Sequence, residues 1–465
     1  MLKTINMTIP TEILQKFDVP GPRYTSYPTA DRFVEAFGEA QYLQALQERQ
    51  LSPRSVSSPL SLYVHVPFCA SLCYYCACNK IITGNYQKAL DYLGDLTKEV
   101  DLLLPHLGEA QTVSQVHLGG GTPTFFKDQE LRVLVRMLQT AFHWQPGGEF
   151  AIEVDPRTVD EARLDTLWSL GFNRLSLGVQ DFEPQVQQAV NRVQTIDSIA
   201  RLMQSAKSIG FGSINLDLIY GLPLQTQESW QRTLNSVLDL KPDRLAMYGY
   251  AHLPARFKPQ RHIAMDSLPS GQDKTAMLSS ALQTLQDAGY VYIGMDHFAL
   301  PNDSLSVAKR QGRLHRNFQG YSTRPDGDLI GLGVSAIGSM GASYVQNART
   351  LDEYSDALQH GRLPVVKGLS LTRDDLARRS IIMALMCQGR VELADIEQSH
   401  LLDFATYFSR ELVQLDEFVQ QGMVKRDAQV IEVTPTGWYL VRAIAMVFDK
   451  YAQADGQRAH FSKIL

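Results

Sequence analysis

The amino-acid sequence predicts an α/β protein whose centre consists of parallel β/α units. Two observations point to this fold class. From residue 60 onwards, short apolar runs alternate six times with longer segments of helical periodicity. Polar or glycine-rich residues follow the apolar runs, as expected where the strands of a parallel sheet end. Six units are too few for a closed eight-stranded barrel, which leaves an open sheet and an incomplete barrel as alternatives.

The predicted elements follow one another with regular spacing. Strands are expected at Leu60–His65, Gln115–Leu118, Phe150–Val154, Arg174–Val179, Ile214–Ile219 and Arg244–Tyr248. Helices are expected at Glu39–Arg49, Tyr86–Leu104, Asp128–Phe142, Asp160–Leu170, Asp197–Ile209 and Gln227–Leu240. Because parallel strands are joined by right-handed crossovers, their carboxyl ends should meet at one edge, where such folds bind ligands.

The chain divides into three predicted parts. Residues 1–58 form an N-terminal arm, residues 59–365 the β/α domain and residues 366–465 a mainly helical C-terminal domain. The arm contains Pro20–Pro28, a segment too rich in proline for a helix and interpreted as a surface strap. The C-terminal domain is expected to hold helices at Thr372–Met386, Leu393–Gln398 and Tyr407–Gln421, a hairpin at 423–435 and a last segment at Gly437–Phe448.

The composition of the 465-residue chain is that of an ordinary globular protein, with 44% hydrophobic and 20% charged residues. A net charge of −5 predicts no broad basic face, which argues against nucleic acid as a partner. No run of 18 apolar residues occurs in the sequence, so no membrane span is predicted. The first residues lack the apolar core of a secretion signal, and a cytoplasmic location is expected.

Four of the five cysteines lie within the ten residues Cys69–Cys78, directly after the first predicted strand. Thiolates bind zinc and iron–sulfur clusters, so this crowding predicts a metal centre. A disulfide knot is disfavoured in a long, cysteine-poor chain without a secretion signal. A structural zinc site usually joins two separated Cys-x-x-Cys pairs. The remaining Cys387 stands alone in an apolar run and is expected to be a buried hydrophobic residue.

The spacing Cys69-x3-Cys73-x2-Cys76 favours an iron–sulfur cluster over zinc. Three thiolates on a four-iron cube leave one iron without a protein ligand, and that iron can hold a substrate. Cys78 is then not needed as a ligand. It either packs behind the cluster or takes part in the chemistry, because thiols beside a metal are seldom inert.

Candidate binding residues follow the other predicted strands. The run Gly119–Pro123 is either a tight turn or a stretch of bare backbone that a ligand approaches closely. Glu153 could accept hydrogen bonds from hydroxyl or ammonium groups, or could cap the next helix. Arg192 could bind a carboxylate bidentately or form an exposed salt bridge. Asp217 interrupts an apolar run, so it is either paired in the core or placed on a ligand.

The cysteine motif with its extension Cys78-Asn-Lys80, together with the glycine run, resembles the radical S-adenosylmethionine (SAM) enzymes. The likeness runs along nearly the whole chain and is strongest to the members that decarboxylate coproporphyrinogen III without oxygen. It implies an incomplete (β/α)6 radical-SAM barrel and an arm over the mouth of the site. It also implies one [4Fe–4S] cluster on Cys69, Cys73 and Cys76, and SAM as cofactor, with two molecules used.

The resemblance further implies which residues act on the cofactor and substrate. SAM contacts are expected at Tyr63, Tyr75, Gly120, Gly121, Thr122, Glu153, Gln180, Arg192, Asp217, Ala251 and Ile337. Catalytic roles are expected for Tyr63, His65 and Cys78. Tyr63 and His65 should share a face because alternate residues of a strand do, although His65 could equally be a packing residue.

The implied activity is the oxidative decarboxylation of two propionates of coproporphyrinogen III to vinyl groups, which gives protoporphyrinogen IX. A 5′-deoxyadenosyl radical would abstract hydrogen from an unactivated carbon, which a positioned base cannot do at neutral pH. An electron-donor protein such as flavodoxin or ferredoxin is the implied partner, and a monomer is expected. The alternative is a haem chaperone on the same scaffold, which Cys78-Asn-Lys80 and the arm at Pro20–Pro28 disfavour.

Overall fold

The computed structural model describes residues 16–17, 19–52, 58–108, 111–324, 327–454 and 461. The predictions for arm residues 1–15 and linker residues 53–57 lie outside this part of the chain. Six parallel strands form the centre: β1 (Leu60–Val66), β2 (Thr112–Gly120), β3 (His143–Val154), β4 (Arg174–Gln180), β5 (Ser213–Tyr220) and β6 (Arg244–Gly249). Each predicted strand lies within one of these six, so the strand predictions are confirmed.

The order of the six strands explains the shape of the sheet. Each strand pairs in parallel with the next one along the chain, and the order never reverses. Right-handed crossovers between successive neighbours keep the connecting helices on one face, and the sheet curves around the other. The predicted incomplete (β/α)6 barrel is thereby confirmed.

In the described part of the chain, eight α-helices lie between residues 39 and 287, before, between and after these strands. They are α1 (Glu39–Leu51), α2 (Gln87–Leu107), α3 (Asp128–Ala141), α4 (Glu161–Ser169), α5 (Pro184–Ala189), α6 (Ile196–Ile209), α7 (Gln227–Leu240) and α8 (Gly271–Asp287). The burial of β1 shows how the layers form. Leu60, Leu62, Val64 and Val66 belong to the main apolar core, and they alternate with Ser61, Tyr63 and His65.

The central sheet continues beyond the six strands at both edges. Leu329–Leu332 pairs in parallel with β1, followed by the antiparallel strands Ile337–Met340, Ser343–Asn347 and Val365–Ser370. His297–Ala299 and Val291–Gly294 extend the other edge, next to β6. Further elements between residues 304 and 359 are helices Ser304–Arg310 and Leu351–Gln359 and the hairpin His315–Asn317 with Gly320–Ser322. The sheet thus has twelve strands in the described part of the chain.

The C-terminal region is mainly helical, as predicted. Its helices are Arg373–Gln388, Leu393–His400, Phe404–Tyr407, Ser409–Gln420, Val441–Met446 and Lys450–Ala454. A small antiparallel sheet of Arg390–Glu392, Val430–Val433 and Val424–Arg426 contains the expected hairpin. The helix expected at Tyr407–Gln421 is observed at Ser409–Gln420, since the fully buried Phe408 is not helical and Tyr407 ends the short helix before it.

Of the four apolar clusters in the described residues, two are large. The larger extends from Phe37 to Leu363 beneath the barrel helices. The second joins the C-terminal helices to Phe17, Tyr24 and Tyr27 of the arm. Strand Val365–Ser370 spans the proposed boundary at residue 366, and the division into three domains stays a prediction. Within the described residues, no helix combines the length and apolar character that crossing a bilayer requires.

A buried carboxyl connects helix α2 to the sheet extension. Glu99 is 2% exposed and accepts hydrogen bonds from Tyr354 Oη at 2.5 Å, Asn347 Nδ2 at 2.6 Å and the Gly333 amide at 2.7 Å. Burial raises the pKa of Glu99 from 4.5 to about 7, and the three hydrogen bonds offset only part of this effect. The folded protein therefore keeps a proton that the unfolded chain loses.

We expect this group to make stability fall as pH rises. Between pH 5 and 8 the folded state retains a proton that the unfolded chain has released, and retaining it costs more as pH rises, so Glu99 should lower the free energy of unfolding by about 2 to 3 kcal/mol. Urea unfolding of the wild type and of Glu99→Gln at both pH values measures the difference. The Glu99→Gln variant should lack this part of the pH dependence. An identical pH dependence of stability in both proteins would show that Glu99 is not its source.

Candidate active site

The cysteine loop leaves the carboxyl end of β1. Strand Phe68–Cys69 pairs with Ile81–Ile82, and the Ile81 amide donates to Pro67 O at 2.7 Å, which closes the loop at its base. Inside the loop, the Cys76 amide donates to Cys73 O at 3.2 Å. The loop forms part of the wall of a cavity of about 910 Å³ at the carboxyl ends of the barrel strands.

Most of the predicted site residues line this one cavity. They are Cys69, Cys73, Tyr75, Cys76, Cys78, Gly120, Gly121, Thr122, Glu153, Gln180, Arg192, Asp217 and Ala251. Tyr63, His65 and Ile337 do not line it. Ile337 instead begins an antiparallel strand of the sheet extension, where its carbonyl packs beside Gly331. Residues far apart in sequence therefore meet at the strand ends, as the resemblance implied.

The glycine run is required for close packing at the end of β2. A Cβ atom on Gly119 would lie 2.8 Å from Glu153 Oε1, one on Gly120 would lie 2.6 Å from the His65 ring, and one on Gly121 would lie 2.6 Å from Pro67 O. Gly120 also has φ +113°, which side chains disfavour. The run is therefore a site of close approach rather than only a tight turn.

Two carboxyl groups of the cavity differ in protonation. Glu153 accepts from His117 Nε2 at 3.0 Å and from the Gly120 amide at 3.1 Å. Its enclosure by protein raises its pKa, but these hydrogen bonds and the nearby histidines outweigh that effect and hold the pKa below 4.5. The side chain is still 41% accessible, from the cavity. Glu153 is therefore an ionised acceptor and does not cap a helix.

Asp217 lies close to Glu153, and its pKa is shifted in the opposite direction. Burial and the charge of Glu153 raise the pKa of Asp217 to about 7. Hydrogen bonds from Ser176 Oγ at 3.0 Å and Asn215 Nδ2 at 2.8 Å favour the charged form and limit the rise. Asp217 is thus held by protein groups and also lines the cavity, and its contact with a ligand stays a prediction.

Arg192 does not form an exposed salt bridge, which was one of the two alternatives that the sequence allowed. It is 7% exposed, and its Nη1 lies 3.0 Å from Asp155 Oδ2 and 3.6 Å from Cys73 Sγ. Arg157 Nη2 lies 2.7 Å from the same carboxylate and 3.6 Å from the same sulfur. Both guanidinium groups therefore contact the sulfur of Cys73.

Tyr63 and His65 share a face, as strand alternation predicted. Tyr63 Oη lies 3.1 Å from His65 Nδ1, and His65 Nε2 lies 2.9 Å from Asn79 O. Burial lowers the pKa of His65, so the ring is neutral. The assigned tautomer then donates from Nε2 to Asn79 O and accepts from Tyr63 at Nδ1. Both ring nitrogens are used, and His65 links β1 to the end of the cysteine motif.

The cysteine thiols fit an iron–sulfur cluster better than a single ion. In the described residues, no three Cys, His, Asp or Glu side chains converge as the ligands of one metal ion. A cube does not need such convergence, because each thiolate binds a different iron. Cys76 is a ready thiolate, since hydrogen bonding from Cys78 and the charge of Lys80 lower its pKa to about 6 against the effect of burial.

Several cavity residues were not predicted from the sequence. Arg157 could have been found, because it follows Asp155 by two residues at the end of β3. Gln260 donates from Nε2 to Tyr75 O at 3.1 Å and supports the cysteine loop. Arg23 and Tyr248 also line the cavity. No local pattern could place Arg23, because its neighbours come from distant parts of the chain.

Comparisons with known proteins agree with this geometry. The model of the radical SAM superfamily matches residues 63–237, and that of the HemN C-terminal domain matches residues 371–440. An oxygen-independent coproporphyrinogen III oxidase from Pseudomonas aeruginosa is 45% identical over 467 residues, covering 100% of both chains. The protein of the same name from Escherichia coli K12 is 46% identical over 453 residues, covering 97% of this chain and 98% of its own.

A solved structure supports the same grouping. The coproporphyrinogen III oxidase (HemN) of Escherichia coli, described as a radical SAM enzyme, superposes with a TM-score of 0.90 at 45% identity. The match covers 96% of this chain and 99% of that one. The radical SAM family implies an enzyme that uses a [4Fe–4S] cluster and SAM. The chain belongs to the oxygen-independent coproporphyrinogen III oxidase family of the radical SAM superfamily.

Proposed function

We propose that this chain oxidatively decarboxylates two propionates of coproporphyrinogen III without oxygen, which yields the vinyl groups of protoporphyrinogen IX. The observation that carries the proposal is the cavity itself, which joins the three-cysteine loop to the glycine run, Glu153 and Asp217. Its volume of about 910 Å³ is at the upper end for small-molecule sites and suits a large substrate with a cofactor. The names of the relatives supply the substrate.

When bound, a reduced [4Fe–4S] cluster and SAM would supply radical chemistry that can act on the unactivated β-carbon of a propionate, and the oxidation would need an external acceptor for the last electron. Cys69, Cys73 and Cys76 would hold the cluster, and Arg157 and Arg192 contact the sulfur of Cys73. The remaining task of the chain is to orient the reactants and to exclude water and stray hydrogen donors.

The cofactor-binding roles follow from the charge of each group. The ionised Glu153 can accept from ammonium or hydroxyl groups, and Asp217 can do the same when deprotonated. The buried Arg192 can bind a carboxylate. We assign SAM contacts to the residues implied by the resemblance that line the cavity: Tyr75, Gly120, Gly121, Thr122, Glu153, Gln180, Arg192, Asp217 and Ala251. For Tyr63 and Ile337, which do not line it, the assignment rests on the resemblance alone.

Further aspects of the proposal concern stoichiometry and partners. Two decarboxylations would use two molecules of SAM. A flavodoxin or ferredoxin would supply the electron, and the protein would act as a cytoplasmic monomer. A haem chaperone is disfavoured, because the two relatives compared are named as oxidases over their full length and the chain retains Cys78-Asn-Lys80.

An anaerobic assay tests the proposed function. Protein reconstituted with iron and sulfide is mixed with reductant, SAM and coproporphyrinogen III, and the products are separated by chromatography. Two vinyl groups should form for each substrate molecule, with methionine and 5′-deoxyadenosine in proportion. Cleavage of SAM without decarboxylation, combined with tight binding of haem, would contradict the proposal and favour the chaperone.

A further inference from the structure

We propose that Arg23 of the N-terminal arm binds a carboxylate of the substrate in the active-site cavity. The inference rests on the proposed function, since coproporphyrinogen III carries four propionates that need cationic partners. Arg23 lines the same cavity as the cysteine loop, and 35% of its side-chain surface is accessible. The arm therefore contributes one charged group directly to the site.

The backbone around Arg23 is fixed by two buried arginines from other parts of the fold. Arg442 donates from Nε to Pro22 O at 3.1 Å and from Nη2 to Gly21 O. Arg316 donates from Nε to the carbonyl oxygen of Arg23 at 3.3 Å. Hydrogen bonds from charged donors are strong where water is excluded. The bonds to three successive carbonyl oxygens therefore hold the segment in place.

The next residue shows that this conformation is imposed by its surroundings. Tyr24 has φ +45°, in the left-handed region that residues other than glycine disfavour. It is fully buried, and its hydroxyl donates to Asp449 Oδ2 at 2.9 Å. Strain of this kind persists only where other contacts determine it, and it is concentrated at functional sites. The strained residue directly follows Arg23, whose side chain lines the cavity.

The guanidinium group of Arg23 retains free donors. It lies over the ring of Tyr248, 5.4 Å from the centroid, and forms an ion pair with Asp296 through Nη2. Within the part of the chain that the structure describes, Nε and Nη1 donate no hydrogen bond. A guanidinium has five donors in a planar fork, so a second carboxylate can bind beside Asp296 or replace it.

The surroundings of Arg23 carry excess positive charge. Arg316 is 3% exposed, its guanidinium lies 4.6 Å from the centroid of the Tyr321 ring, and its Nη1 has no hydrogen-bond partner in the described residues. Among those residues, Asp296 is the one carboxylate that forms an ion pair with Arg23 or Arg316. Burying two cations with one anion is unfavourable, and a ligand carboxylate would correct the imbalance.

The other cations of the cavity are already committed. Arg157 and Arg192 share Asp155 and contact the sulfur of Cys73. Lys80 donates to the backbone carbonyls of the cysteine loop, including Cys76 O at 3.0 Å. Arg23 is thus the cavity cation best placed to bind a propionate.

Binding of coproporphyrin III, the stable oxidised form, can be measured without turnover by fluorescence titration. Arg23→Gln should weaken binding by about 10- to 100-fold, the usual effect of losing a charged hydrogen bond. The tetramethyl ester of the same porphyrin should bind both proteins equally. Arg23→Lys should fall between the wild type and Arg23→Gln. The matched control Arg261→Gln, which removes an exposed arginine outside the cavity wall, should bind like the wild type.

The Asp296→Asn variant shows whether Arg23 binds the ligand or serves only in a structural ion pair with Asp296. If Arg23 binds substrate, loss of its internal competitor should leave the affinity unchanged or increase it. Two results would overturn the inference about Arg23 without affecting the proposed function. One is equal weakening of binding by Asp296→Asn and Arg23→Gln, and the other is an Arg23→Gln protein that binds like the wild type. A wild-type protein that binds no tetracarboxylate would overturn it together with the proposed function. Because the Asp296 variant keeps Arg23, the test remains valid if Arg23→Gln folds poorly.

Discussion

Replacing Cys73 by serine is expected to abolish both cluster assembly and product formation. Cys73 is buried, and its sulfur lies 3.6 Å from both Arg157 Nη2 and Arg192 Nη1. A serine hydroxyl remains protonated at neutral pH and is a poor ligand for iron. Activity should fall at least about 1000-fold, equivalent to about 4 kcal/mol of activation free energy. Iron and sulfide analysis after anaerobic reconstitution, followed by the product assay, provides the measurement.

The chain contains a matched control for this variant. Cys387 is 3% exposed and lies in the apolar cluster with Ile293 and Tyr321, outside the cavity. Cys387→Ala should lose some stability, as a small core truncation does, but should bind iron like the wild type. A Cys73→Ser protein with full iron content would show that this residue is not a ligand.

Replacing Cys78 by serine should leave the cluster intact but abolish the product. Cys78 is exposed, lines the cavity and follows the third cysteine of the motif by two residues. The loop retains its other contacts, including Asn79 Nδ2 to Arg349 O at 3.0 Å. We expect normal iron content and a decrease in product of about 100-fold or more, the range observed when a group acting in the chemical step is removed.

The control for Cys78 comes from the same loop. Ser71 is exposed and lines the same cavity, and Ser71→Ala should keep both iron and activity. Measuring SAM cleavage separately from decarboxylation shows whether the Cys78 variant stops before or after the radical forms. Full product formation in Cys78→Ser would remove the main sequence-based reason for preferring the oxidase to the haem chaperone.

The sequence predicted the barrel because its signal is local. Each β/α unit is a short apolar run followed by an amphipathic helix, and all six runs lie within observed strands. The edge strands were harder to predict, because elements such as Ile337–Met340 are four residues long and contain glycine. Their pairing with Ser343–Asn347 is a tertiary property that periodicity does not record.

The site was predictable to the extent that its residues follow strands directly. The cysteine loop, the glycine run and Glu153 come at strand ends, Asp217 lies three residues before one, and the fold brings those ends together. Protonation could not be predicted, because the pKa of Asp217 is raised by burial and by the charge of Glu153, which lies on another strand. Arg23 was missed for a similar reason, since the contacts that place it come from Arg316 and Arg442.

The central claim is that Cys69, Cys73 and Cys76 hold a four-iron cluster with one iron open to the cofactor. Anaerobic Mössbauer spectroscopy of the reconstituted, iron-57-labelled protein tests it most directly. The account predicts a [4Fe–4S] spectrum in which one iron differs from the other three and changes when SAM is added. Zinc in place of iron, or four irons that do not respond to SAM, would contradict it.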